Sequence, residues 1–122
     1  MEYRIEKDSM GEIKVIKEKY WGAQTQRSFE NFKIGNEKID LSLIYSLSAL
    51  KLACANANNV LKSEKMTDEK KAVICEVVTN EILQSKLDDN FPLSVWQTGS
   101  GTQTNMNVNE VIANLSELFA FE

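Results

Sequence analysis

Ser100, Thr102 and Thr104 sit around Gly99 and Gly101 in the stretch Trp96-Gln97-Thr98-Gly99-Ser100-Gly101-Thr102-Gln103-Thr104-Asn105-Met106-Asn107. The glycines let such a loop fold tightly and turn its N–H groups inward. The hydroxyls add further donors. Directly behind the loop, Val108, Val111, Ile112, Leu115 and Phe119 recur at helical spacing. Small donors at a helix N-terminus combine unpaired N–H groups with the positive end of the helix dipole, an arrangement that favours carboxylate or phosphate. From the residues alone two readings stand, an anion site and a plain capped loop, with Thr102 or Thr104 as the expected N-cap. Gly99-Ser100-Gly101 also opens like a dinucleotide fingerprint, but Thr104 stands at the third glycine position and no clear first strand precedes it. No Gly-Lys-Ser/Thr follows, so the stretch is not a phosphate-binding P-loop.

The elements that must position this loop follow from pattern. Tyr3, Ile5, Ile13 and Val15 alternate about a turn at Asp8-Ser9-Met10-Gly11, which predicts a short β-hairpin, and Lys14 to Lys19 reads as a solvated edge. Periodicity does not settle Tyr20-Trp21-Gly22-Ala23-Gln24-Thr25-Gln26-Arg27-Ser28. Arg27 can clamp a carboxylate in a forked pair, although a structural ion pair is the commoner role. Phe29, Phe32 and Ile34 are expected to dock on the core before a turn at Gly35-Asn36.

Asp40 is placed to cap a helix from about Leu41 to Lys62, with Leu43, Ile44, Leu47, Leu50, Cys54, Ala57 and Leu61 as its core stripe. After a link around Ser63 to Met66, Thr67 with Asp68 and Glu69 starts a second helix that buries Ile74, Cys75, Val78 and Ile82 and ends near Gln84 to Lys86. Asp88-Asp89-Asn90-Phe91-Pro92 is a breaker. Adjacent aspartates can act as acid and base when their environments differ, but a solvated turn is the simpler reading here. The fold class is therefore mainly α, with about three main helices and a short N-terminal β-hairpin.

The 122 residues make one domain. A net charge of −4 offers no basic footprint for nucleic acid. Cys54 and Cys75 form no metal motif and are expected as buried free thiols. Met1 to Asp8 has no secretory core, and no apolar run reaches membrane-spanning length, so the expected location is cytoplasmic. The chain contains no histidine, the side chain most used for proton transfer near neutral pH.

Three segments together resemble the N-terminal part of class II fumarate hydratase, in the superfamily that also holds aspartase and argininosuccinate lyase. They are Tyr3 to Gly11, Tyr20 to Ser28, and Phe91-Pro92-Leu93 running through Trp96–Asn107 to Val111-Ile112-Ala113-Asn114. They occur in the family's order and cover most of the chain. Aspartases resemble it less, usually having alanine where Ser100 stands and serine where Gln103 stands.

The resemblance implies reversible trans addition of water to fumarate to give L-malate, with no metal or organic cofactor. It implies the N-terminal domain of the L-aspartase/fumarase-like fold over residues 1–122. The segment matching Ser100, Gly101 and Thr102 binds a substrate carboxylate in that family. Asn105, one helical turn on, is a further candidate as an amide donor. Two departures stand out. Ile16 occupies a position commonly held by proline, and the tail from Leu115 to Glu122 loses a clear match.

Family enzymes run several times this length. Their remaining part carries a Ser-Ser-Asn substrate loop, the catalytic histidine, the catalytic serine, a lysine, an asparagine and the long helices of a homotetramer. No catalytic residue is therefore assigned in this chain. The expectation is a fumarase part that is inactive by itself and self-associates through exposed helix faces. The alternatives are an aspartase-like part, or a non-catalytic protein that binds dicarboxylates or fumarase subunits.

Overall fold

The computed structural model describes residues 1–121. Two antiparallel strands, β1 (Tyr3–Asp8) and β2 (Gly11–Ile16), close at Ser9-Met10, where Gly11 takes φ +111° and the Met10 N–H donates to Asp8 Oδ1 at 2.9 Å. The register pairs Arg4 with Val15, Glu6 with Ile13 and Asp8 with Gly11. Side chains alternate across a strand, so these residues share one face and Tyr3 and Ile5 lie on the other. The predicted hairpin is present, and its four alternating apolar residues divide between its two faces. Val15 is fully buried, whereas Tyr3 and Ile5 are exposed.

What β1 turns inward is charge. Arg4 donates to the carbonyls of Ile16 (2.9 Å), Lys17 (3.3 Å), Lys19 (2.5 Å) and Trp21 (2.6 Å). One guanidinium thus ties down the link out of the hairpin, and Lys14 to Lys19 is only in part a solvated edge.

Beyond that link, α1 (Ala23–Asn31) is a helix that periodicity could not reveal, because the residues it buries are Ala23, Thr25 and Ser28. Its inner face is small and polar and lacks the large apolar residues that mark α2 and α4. Arg27 on α1 forms the forked pair with Asp8, Nε to Oδ2 and Nη2 to Oδ1 both at 2.9 Å, in the structural role. Of the three residues expected to dock, Ile34 is exposed, Phe32 is half-buried, and Phe29, though partly exposed, sets its ring 6.3 Å from that of core Trp21.

The helix α2 (Leu41–Leu61) begins as expected, with Asp40 Oδ1 accepting from the Ser42 N–H at 2.8 Å. Its covered stripe is different. Ile44, Ser48 and Ala55 are buried, while Leu43, Leu50, Cys54, Ala57 and Leu61 face outward, Leu50 at 58% and Leu61 at 77% exposure. The small residues Ser48 and Ala55 let α2 lie close against its neighbours. Apolar spacing gave a helical period but not which of two possible stripes is covered.

Thr67 caps α3 (Asp68–Glu76), its hydroxyl accepting from the Lys70 N–H at 3.3 Å. The helix continues as a π-helical segment, Val77–Ile82, whose Val77, Val78 and Ile82 are core, and the chain leaves it through Ser85 at φ +61°. Cys75 is exposed, as is Cys54, so both thiols depart from the buried state expected of them. A short 3-10 turn at Asp88–Asn90 leads to Phe91 and then to α4 (Thr102–Ala120). The core gathers Val15 from the hairpin, Ile44 from α2, Val77, Val78 and Ile82 from the π segment, Val108, Val111 and Leu115 from α4, and Trp21 and Phe91 from the links before α1 and α4. Among the described residues no helix is long and apolar enough to cross a membrane.

Candidate functional site

The loop before α4 is held from behind. Segment 93–95 pairs with segment 37–39 through Ile39 N–H to Leu93 O (3.3 Å) and Val95 N–H to Glu37 O (3.0 Å). Ser94 Oγ donates to Ile34 O at 2.8 Å and accepts from the Trp96 N–H at 3.0 Å. At the other side, buried Asn107 donates from Nδ2 to Asn90 O at 3.0 Å, and the Thr104 hydroxyl donates to Gln97 Oε1 at 3.1 Å. Both feet of the loop are therefore fixed.

Between them, Gln103 Oε1 accepts from the N–H and the hydroxyl of Thr98, each at 3.1 Å. The Ser100 hydroxyl lies 3.3 Å from Thr98 Oγ1 and donates to Thr102 Oγ1 at 3.3 Å. The N-cap is Gly101, in the left-handed region at φ +78°, in place of the threonine expected there. With Gly101 at that angle the helix starts at Thr102 with no side-chain cap. The reason is steric, since a residue bearing Cβ rarely takes this angle.

Ser100, Gly101 and Thr102 are all exposed. Among the described residues the N–H groups of Gly99, Ser100 and Gly101 have no protein acceptor, and Thr102 N–H has only a 3.5 Å approach to Ser100 Oγ. Residues 96–109 carry no charged side chain. The loop therefore offers hydroxyls, free N–H groups and a helix dipole to an anion, and has nothing with which to move a proton.

Asn105 is half-buried on the first turn of α4, and its Oδ1 accepts from Lys51 Nζ of α2. Sequence reasoning passed over Lys51. The available signal was its place on α2, three residues after Ser48 and four before Ala55, which makes it a lone cation on the covered face.

The adjacent aspartates are not a working acid and base pair. Asp88 Oδ1 accepts from the Tyr45 hydroxyl at 2.5 Å, which pushes that phenol's pKa up. Asp89 accepts from Lys19, and this hydrogen bond holds its carboxyl below the usual carboxylate range. Each carboxylate is committed to a different neighbour. Among the described residues no three His, Cys, Asp or Glu side chains gather as a metal-holding group.

Against known proteins, a family model described as lyase matches residues 11–121. That span runs past Asn114 through α4, so the tail from Leu115 is inside it and not a departure, Glu122 alone lying outside the described residues. A class II fumarate hydratase of Campylobacter jejuni subsp. jejuni is 60% identical over 114 residues, 93% of this chain and 24% of that protein. One from Bacillus subtilis is 56% identical over 114 residues, again 93% of this chain and 24% of the relative. The crystal structure of recombinant class II fumarase from Schistosoma mansoni superposes with a TM-score of 0.92 at 39% identity, covering 99% of this chain and 25% of that one. The chain spans about a quarter of the length of these relatives.

Proposed function

The chain belongs to the lyase family, and from that premise we propose that it supplies the carboxylate-binding loop of a class II fumarate hydratase, the enzyme type that adds water reversibly to fumarate to give L-malate. Ser100, Gly101 and Thr102 hold one substrate carboxylate, and Asn105 assists from the next turn. The observation that carries this reading is the exposed loop itself, which sets acceptor-free N–H groups and neighbouring hydroxyls at the N-terminus of a 19-residue helix without a charged side chain among them. Names of relatives at 60% and 56% identity support the choice of substrate.

The residues here bind and do not transfer protons, so the isolated chain makes no malate. Purified chain is assayed for fumarate hydration and titrated with fumarate while the Ser100, Gly101 and Thr102 amide resonances are followed. Movement of those resonances with no turnover is the expected result. Turnover by the chain alone would show that it holds proton-transfer groups this reading does not assign.

The enzyme type is a homotetramer by resemblance, and a second copy of the chain is the proposed cover for the outward stripe Leu43, Leu50 and Leu61. Exposed apolar surface on this scale favours association. Sedimentation that shows only monomer at high concentration would remove this part. The cytoplasm is the proposed location, supported by two exposed cysteines left as free thiols.

A further inference from the structure

Residues 96–109 are uncharged, yet the ligand class proposed for them carries negative charge. The cation that touches this segment comes from elsewhere in the chain. Lys51, half-buried on the covered face of α2, donates to Asn105 Oδ1. None of the ion pairs among the described residues includes Lys51. A half-buried ammonium bonded to a neutral amide, with no carboxylate paired to it, keeps its positive charge available to an anion nearby.

The same bond decides which way the amide points. Lysine can only donate, so it selects the amide oxygen and leaves Nδ2 as the free end. Among the described residues Nδ2 of Asn105 has no acceptor.

We propose that Lys51 is a positioning residue for carboxylate binding, which orients Asn105 as a donor and supplies the countercharge that the loop itself lacks. This rests on the carboxylate reading of Ser100–Thr102. The ammonium acts through Asn105 and through the field at the head of α4, where it adds to the helix dipole.

The test uses the whole chain, isotopically labelled, as wild type, Lys51→Met and Lys51→Arg, titrated with fumarate at low and at high salt. Wild type is expected to bind with an affinity that falls as salt rises, because a charge pair is screened. Lys51→Met is expected to weaken binding about tenfold and to flatten the salt dependence, and Lys51→Arg to restore most of both. Without ligand, the Asn105 side-chain NH2 resonances should move in Lys51→Met and stay near their wild-type positions in Lys51→Arg. If Lys51→Met loses its helical signal, Lys51→Gln takes its place, since it keeps a donor and removes the charge. A neutral variant that binds within about twofold of wild type, with the same response to salt, overturns the role of Lys51 and leaves the loop reading standing. A wild-type chain that gives no response to fumarate overturns the loop reading, and the role of Lys51 with it.

Discussion

Glu110 of α4 caps the N-terminus of α1 across the fold, its Oε1 accepting from both the N–H (2.8 Å) and the hydroxyl (2.5 Å) of Thr25. Oε2 takes the Gln24 N–H at 3.0 Å. No local side chain caps α1, so a residue far along the sequence satisfies its orphan donors. Glu110→Ala is expected to destabilise the chain by about 2 kcal/mol in urea unfolding.

Gly22 makes that approach possible. A Cβ there would lie 2.3 Å from Glu110 Oε2, so Gly22→Ala must displace the carboxylate. The cost is loss of the cap, not backbone strain, because φ at Gly22 is −112°. In a double-mutant cycle Gly22→Ala should therefore cost much less on the Glu110→Ala background than in wild type. Additive effects would show that the two residues act separately.

Asp8 gives the acid limb of stability a defined origin. The forked hydrogen bond from Arg27 holds its carboxyl below the ordinary value of 3.8, so the folded state binds this proton less readily than the unfolded state. Its contribution is full above the unfolded pKa and is lost as pH falls through the lower folded value. Asp40, lowered by Ser42, and Asp89, lowered by Lys19, act in the same direction. Urea midpoints measured from pH 7 down to pH 3 should fall less steeply for Asp8→Asn than for wild type. An unchanged slope would remove Asp8 from this account.

Gly101 is a conformational requirement without a packing one. Its φ is +78°, and a Cβ built there meets nothing within 4 Å. Gly101→Ala is expected to cost about 1 kcal/mol, and Gly101→Asn less, since asparagine visits the left-handed region more readily. Fumarate binding should weaken more in the alanine variant, because the loop N–H groups shift with the backbone. Thermal unfolding and titration of the two variants separate these effects.

Cys54 and Cys75 should both react with a thiol reagent in the native chain. A colourimetric titration without denaturant, on chain diluted to the monomer, is expected to count both, and Cys54, which lies between Leu50 and Leu61, should slow as the chain associates. Reaction only after unfolding would mean that another surface covers them.

The local code carried much of this protein. Asp40 and Thr67 as caps, the hairpin about Ser9-Met10 and the glycine loop running into α4 all follow from neighbouring residues, because turns and helix starts are decided within a few positions. The stretch from Trp96 to Asn107 was legible as a glycine-punctuated loop running into a helix start for the same reason. What the tertiary structure decided are choices between faces and partners far apart in sequence. α1 buries a small and polar face on which Thr25 is met by Glu110, and the covered stripe of α2 runs through Ile44, Ser48 and Ala55 and not through Leu43, Leu50 and Leu61. Lys51 meets Asn105 only when α2 and α4 cross. Periodicity reports that a helix has a face, but burial of a polar or charged group depends on a partner, and that partner lies 54 positions along the chain for Lys51 and 85 for Thr25.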